Sequence, residues 1–306
     1  MCSSTAVNIP LDVPASNQEE YLRNYHRATH GSGRLMLFAG DQKVEHMNDD
    51  FYGTGIPSED GDPEHLFRIA SQGKIGLFAT HLGLIARYGM EYRSVPYLVK
   101  LNGKTNLVGS EFRDPVSPQW HPVEQVMEFK KSSGLSILGV GYSLYPGSTF
   151  EADMLREAAQ VVYQAHRNGL LTILWIYPRG RSVRNEQDPH LIAGAAGLGA
   201  SLGTDFVKVN PPFLPGISSA EALKEAVQAA GKAKVLCAGG SATDPHLFLS
   251  TLYAQIHISG AGGNATGRNI HQKPLDDAIR MCNAIYAITV EDASLEEALS
   301  LLTVEK

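Results

Sequence analysis

Cysteine is scarce in this chain: Cys2, Cys237 and Cys282 are the only three in 306 residues. Three scattered thiols cannot build a disulfide framework, and two of them sit in apolar stretches where a thiol packs as a small hydrophobe. That usage fits a reducing cytoplasm. There is also no uninterrupted run of about 18 apolar residues to span a bilayer, and Met1 to Pro14 lack the basic-then-apolar order of a secretory signal. Clustered Lys and Arg are missing as well. With a net charge of -6, the chain offers no basic face to a nucleic-acid backbone, although a small anion can still be bound locally. What remains is 43% hydrophobic and 19% charged residues, the profile of a globular enzyme-sized domain.

Short apolar runs alternate with longer amphipathic segments. The runs Leu35 to Ala39, Ile75 to Thr80, Tyr97 to Leu101, Leu135 to Tyr142, Leu171 to Tyr177, Phe206 to Asn210, Val235 to Ala238 and Ile256 to Gly260 read as eight strands. Helical patterns separate them, and Leu275 to Ile288 follows the last. Asn168-Gly169 and Ala230-Gly231 close helices, while Asp244-Pro245 opens one. Eight βα units predict an α/β fold of the (β/α)8 TIM-barrel type, with an open doubly wound sheet as the alternative. Residues 34–306 are expected to form that single barrel. Residues 1–33 form an N-terminal extension whose helix, about Asn17 to His30, caps the barrel bottom or meets another subunit. The polar loop from Asp49 to Asp62 follows the first strand and is expected on the catalytic rim.

Lys208 stands in Asp205-Phe206-Val207-Lys208-Val209-Asn210, an amine inside an otherwise buried strand. A period of two puts Phe206, Lys208 and Asn210 on one face, inward if the valines cover helices. Burial favours the neutral amine, which is a nucleophile; the alternative is a strand end whose charge escapes to solvent. Trp175 and Tyr177 share a face at the end of the fifth strand, where a phenol can move a proton or merely pack. Asp41 ends the first strand, as a substrate ligand or a helix cap. Two glycine-rich turns, Gly239-Gly240-Ser241 and Gly260 to Asn269 with Gly267 and Arg268, follow the seventh and eighth strands. They read as a phosphate cradle, because glycine lets backbone N–H groups approach an anion and Arg268 adds a fork of donors.

Taken together, Gly40-Asp41-Gln42-Lys43-Val44-Glu45-His46, Trp175-Ile176-Tyr177, the Lys208 strand, Gly239-Gly240-Ser241 and Gly267-Arg268-Asn269 resemble the archaeal-type class I fructose-bisphosphate aldolases, within the deoxyribose-phosphate aldolase-like superfamily. The resemblance runs from about Leu35 to Ile288. It implies a Schiff base on Lys208, acid/base work by Tyr177, a pocket wall from Trp175 and substrate orientation by Asp41. It places the phosphate on Gly239, Gly240, Ser241, Gly267 and Arg268. Gln42-Lys43 and Met47-Asn48 depart from the family's usual His-Gly and Gly-Pro at the mouth. The implied activity is metal-independent and cofactor-free cleavage and formation of a ketose phosphate, foremost fructose 1,6-bisphosphate, as in glycolysis and gluconeogenesis, by a cytoplasmic homo-oligomer. A related lysine-dependent aldolase or transaldolase-type enzyme acting on another sugar phosphate is the alternative.

Other classes are weaker readings. A metal-dependent aldolase would draw on His46, His81, His257 and His271, which show no tight ligand spacing. An isomerase would need Glu45 or Glu111 as base, and a phosphosugar-binding barrel would use Lys208 only as a counter-charge.

Overall fold

The computed structural model describes residues 7–303, so Cys2 and the first residues of the 1–33 extension lie outside the described residues. Eight parallel strands close into a barrel in chain order. They are β1 (Leu35–Ala39), β2 (Leu77–His81), β3 (Tyr97–Lys100), β4 (Ile137–Leu144), β5 (Leu171–Ile176), β6 (Phe206–Val209), β7 (Lys234–Ala238) and β8 (Gly263–Thr266). Around and between them run α1 (Gln18–Thr29), α2 (Gln42–Glu45), α3 (Glu64–Gln72), α4 (Leu82–Tyr88), α5 (Val123–Ser133) and α6 (Glu151–Arg167). The chain continues with α7 (Pro189–Leu202), α8 (Ser219–Ala230), α9 (Pro245–His257), α10 (Arg268–His271), α11 (Leu275–Thr289) and α12 (Leu295–Ser300). Among the described residues no helix is long and apolar enough to cross a membrane.

Strands buried on both faces explain why their sequences are continuous apolar runs rather than alternating ones: every residue of β1, β4 and β5 is buried. The two faces are still distinct. A methyl group on Gly199 of α7 would stand 3.0 Å from Val207, so Val207 faces the helix layer and Phe206 and Lys208 face the barrel axis. Phe206 forms part of the floor, its ring stacked 6.0 Å from Tyr25 of α1. Lys208 lies one layer above it, toward the C-terminal mouth.

The eighth strand corrects the sequence reading. Ile256 and His257 end α9, and β8 is Gly263–Thr266, inside the segment expected to be a phosphate turn. Space decides this rather than β-propensity. Strand β1 approaches so closely that a Cβ on Gly263 would fall 2.0 Å from the Leu35 carbonyl oxygen, and Gly263 has φ +144°, so only glycine fits there. Gly260 and Gly262 accordingly line a cavity of about 690 Å³ at the barrel floor with Tyr25 and Asp205, the far end from any mouth phosphate.

The floor is tied together by buried polar groups. Asp205 accepts from Tyr21 of α1 (2.5 Å), from the Thr172 backbone N–H (2.7 Å) and from the Thr172 hydroxyl (3.1 Å). His166 of α6 bridges Asp205 at 3.2 Å and Asp12 at 2.9 Å. Burial works against the imidazolium, yet the two carboxylates outweigh it and push its pKa up to about 9. Asn24 adds a hydrogen bond to the Gly169 carbonyl at 2.8 Å, and α1 thereby lies fixed across the floor.

Candidate active site

A cavity of about 200 Å³ opens at the C-terminal mouth. Its walls include Asp41, Trp175, Tyr177, Lys208, Gly239, Gly240, Gly267 and Arg268, together with Gln42, Glu45, His46, Asn106, Arg179 and Asn210. Eight of the nine residues singled out from sequence thus share one chamber. Ser241 is outside it, on an exposed turn where its carbonyl accepts from Asn269 at 3.0 Å.

Two lysines meet here. Lys208 of β6 and Lys100 of β3 carry their amines 5.2 and 4.9 Å from the centroids of the Trp175 rings. Their surroundings differ. Lys100 donates to the Ser143 hydroxyl (2.8 Å) and the Asn102 carbonyl (3.2 Å), and its nitrogen stands 3.5 Å from Asp41, three acceptors for the three protons of an ammonium. Lys208 makes no hydrogen bond or ion pair among the described residues, although it is 6% exposed. Burial lowers its pKa; Asp41 pulls it back up, and Lys100 pushes it down again. The geometry therefore separates a fully partnered amine from a free one.

Asp41 begins α2 without capping it, so the helix-cap alternative does not hold for its side chain. Burial alone would raise its pKa, but Lys100 and Lys208 overcome that and hold the carboxyl below the ordinary range. Trp175 fits because β4 offers Gly141 opposite it: a methyl there would lie 2.5 Å from the indole. The indole N–H is buried and without a partner among the described residues, as is the side-chain carbonyl of Gln42, and both residues line the cavity. Burial raises the Tyr177 phenol well above its usual pKa, and Glu45 and Asp41 reinforce the shift. A phenol so placed stays protonated at neutral pH.

On the opposite wall Gly240 has φ +68° and open space beside it, a left-handed turn that exposes backbone to the cavity. Arg268 opens α10 with its Nε 3.7 Å from Asp50, whose carboxylate also meets His46 Nδ1 at 2.5 Å. Glycine backbone, guanidinium and imidazole make this wall the part of the cavity suited to an anion.

Lys100, Arg179, Asn106 and Asn210 were not read from the sequence as site residues. Lys100 carries the same signal as Lys208, a lysine at the end of an apolar run. The histidines weighed as metal ligands are dispersed: His46 meets Asp50, His81 the Lys100 carbonyl at 3.2 Å, His271 Asp60 at 2.8 Å, and His257 lies 3.9 Å from Asp292. Burial and Lys100 push the His81 pKa down to about 4.

The profile of the DeoC/LacD family aldolases matches residues 35–273. The chain is 60% identical to a protein of Methanocaldococcus jannaschii named fructose-bisphosphate aldolase/6-deoxy-5-ketofructose 1-phosphate synthase, over 96% of this chain and 94% of that one. It superposes on a fructose-bisphosphate aldolase from Slackia heliotrinireducens with a TM-score of 0.95 and 54% identity, covering 97% and 93% of the two chains. An archaeal fructose-1,6-bisphosphate aldolase, solved with its catalytic lysine covalently bound to the carbinolamine intermediate of the substrate, superposes with a TM-score of 0.74 and 32% identity over 89% and 99%.

Proposed function

The chain belongs to the DeoC/LacD aldolase family, and from that premise we propose that it makes and breaks the carbon–carbon bond of a ketose phosphate through an imine on Lys208. Fructose 1,6-bisphosphate is the substrate, with dihydroxyacetone phosphate and glyceraldehyde 3-phosphate as products. The observation that carries the reading is the unpaired amine of Lys208 in the same chamber as the Gly240–Arg268 wall.

With the C1 phosphate against Gly239, Gly240, Gly267 and Arg268, the neutral amine adds to the C2 carbonyl. Tyr177, kept protonated by burial, gives its proton to the departing hydroxyl, and the resulting iminium is the electron sink. Asp41, ionised beside Lys100, takes the proton of the C4 hydroxyl as the C3–C4 bond breaks and the aldehyde leaves. The proton that Asp41 took is passed to C3 of the enamine on the Tyr177 side, and hydrolysis of the iminium by water releases dihydroxyacetone phosphate, frees the neutral amine and returns a proton to Tyr177. The Trp175 N–H supplies a donor to a substrate oxygen. A cytoplasmic setting and a homo-oligomeric state complete the proposal, the first supported by scarce cysteine and the second by the family resemblance. The Methanocaldococcus relative's second named activity yields a ketose with a single phosphate, so the same reading extends to acceptor aldehydes that carry none.

Sodium borohydride added with dihydroxyacetone phosphate should fix the reduced adduct on Lys208, seen as a mass increase mapped to that peptide. Continued turnover with no label on Lys208 would rule the reading out.

A further inference from the structure

Arg179 stands in the wall between two cavities. One is the chamber of Lys208; the other, of about 420 Å³, is lined by Lys104, Asn106, Arg113 and Glu186 among others. The guanidinium centre lies 5.9 Å from the ring centres of both Tyr145 and Tyr177, so it borders the phenol that works on the substrate. Its Nε donates to both carboxylate oxygens of Glu186, at 3.1 and 3.0 Å, while Nη1 is 3.6 Å from Glu45. Lys104, the second cation here, donates to Asn106 Oδ1 at 2.6 Å and lies 5.6 Å from the Tyr145 ring. Three cations, Arg179, Lys104 and Arg113, and four carboxylates, Glu45, Glu111, Asp114 and Glu186, meet at this end of the site, so none of its positive charge is in excess. At the donor-phosphate end Arg268 faces a single carboxylate, Asp50, at 3.7 Å, whereas Arg179 is held by two, and Asp50 is itself shared with His46.

We propose that Arg179 reads the charge of the aldehyde acceptor, and that the Glu186 carboxylate is a displaceable stand-in for an acceptor phosphate. The inference rests on the aldolase reading above. The Glu186 side chain is 39% exposed and that of Arg179 24%, so their pair is at the solvent edge, where ion pairs contribute little net stability. A phosphate dianion offers the guanidinium two charge-assisted bonds in the same geometry and exchanges with Glu186 at small cost, releasing that carboxylate to water. An acceptor without phosphate leaves the pair closed, and no cation is stranded beside the reacting carbons. One site thereby accepts both classes of aldehyde, which a permanently free arginine would not do without leaving a charge unpaired.

The test is steady-state kinetics of aldol addition, with dihydroxyacetone phosphate as donor and either glyceraldehyde 3-phosphate or glyceraldehyde as acceptor. The readout is the ratio of the two KM values, phosphorylated over unphosphorylated. In Glu186→Gln the competing carboxylate is gone and the ratio falls by about threefold to fivefold. In Arg179→Gln the ratio rises by roughly tenfold to a hundredfold, as expected for a lost charge-assisted contact. A ratio that stays at the wild-type value in both variants, or KM values that move together for both acceptors, overturns the inference. Borohydride trapping with donor alone is run beside each variant. If wild type fails to trap, the aldolase reading itself falls; if trapping persists with a flat ratio, only the role given to Arg179 falls.

Discussion

Each end of the barrel buries a cluster of ionisable groups, and the two differ in what they leave unpaired. At the floor, Asp205, His166, Asp12, Tyr21 and the Thr172 hydroxyl satisfy one another. At the mouth, the Lys208 amine, the Trp175 N–H and the Gln42 side-chain carbonyl have no partner among the described residues. Buried polar groups cost stability unless hydrogen-bonded. The floor therefore holds the fold together, while the mouth keeps groups in reserve for a ligand at the expense of stability. Lys208 and Asp205 are three positions apart on the same strand segment, yet they belong to opposite regimes.

The largest effect should come from Lys208→Met. Turnover should fall on the order of 10⁶-fold, as for loss of a covalent nucleophile, while the thermal midpoint stays level or rises, because an unpaired buried amine has been exchanged for a thioether. A clear drop in the midpoint would break the comparison.

Asp205→Asn should do the opposite, costing about 3–5 kcal/mol of stability with kcat of the folded enzyme nearly unchanged. The same cluster sets a pH dependence. His166 is raised in the fold to about 9 from 6.5, so its contribution is complete below pH 6.5 and is lost as pH rises through 9. Urea unfolding should show wild type weakening across that window and Asp205→Asn weakening much less. A wild-type stability that stays flat across the window would contradict the assignment.

The smallest change is Lys100→Met, which sharpens the contrast between the two lysines of the mouth. Without Lys100, Lys208 loses a like charge and shares Asp41 with no competitor, and both changes favour its ammonium form. The acid limb of kcat/KM should move to higher pH while borohydride still labels Lys208. A limb that stays in place would show that Lys100 acts only on packing.

Much of the fold was legible because it is local. Strand β1 begins and ends at the residues that periodicity predicts, and α11 runs one residue past the predicted Leu275 to Ile288. Asp244 caps α9 by accepting from the Leu247 N–H at 3.0 Å, as its place before Pro245 foretold. The misplaced eighth strand shows the limit. Ile256-His257-Ile258 has the composition of a strand but ends a helix, whereas Gly263-Asn264-Ala265-Thr266 lacks that composition and is a strand because it pairs with β1 and β7, with β1 so close at Gly263 that no side chain fits there. In the site, Lys208 was visible as a charge in an apolar run. The Glu45–Arg179–Glu186 cluster was not, since no spacing announces a contact between the end of α2 and the loop that joins β5 to α7.

Period, punctuation and the burial of a lone amine are properties of neighbouring residues, so seven of the eight strands and the buried Lys208 followed from the chain alone. Which lysine is satisfied and which is free, whether Glu45 joins Glu186 on Arg179, and where the last strand runs depend on distances between segments far apart in sequence. Those distances exist only once the barrel has closed.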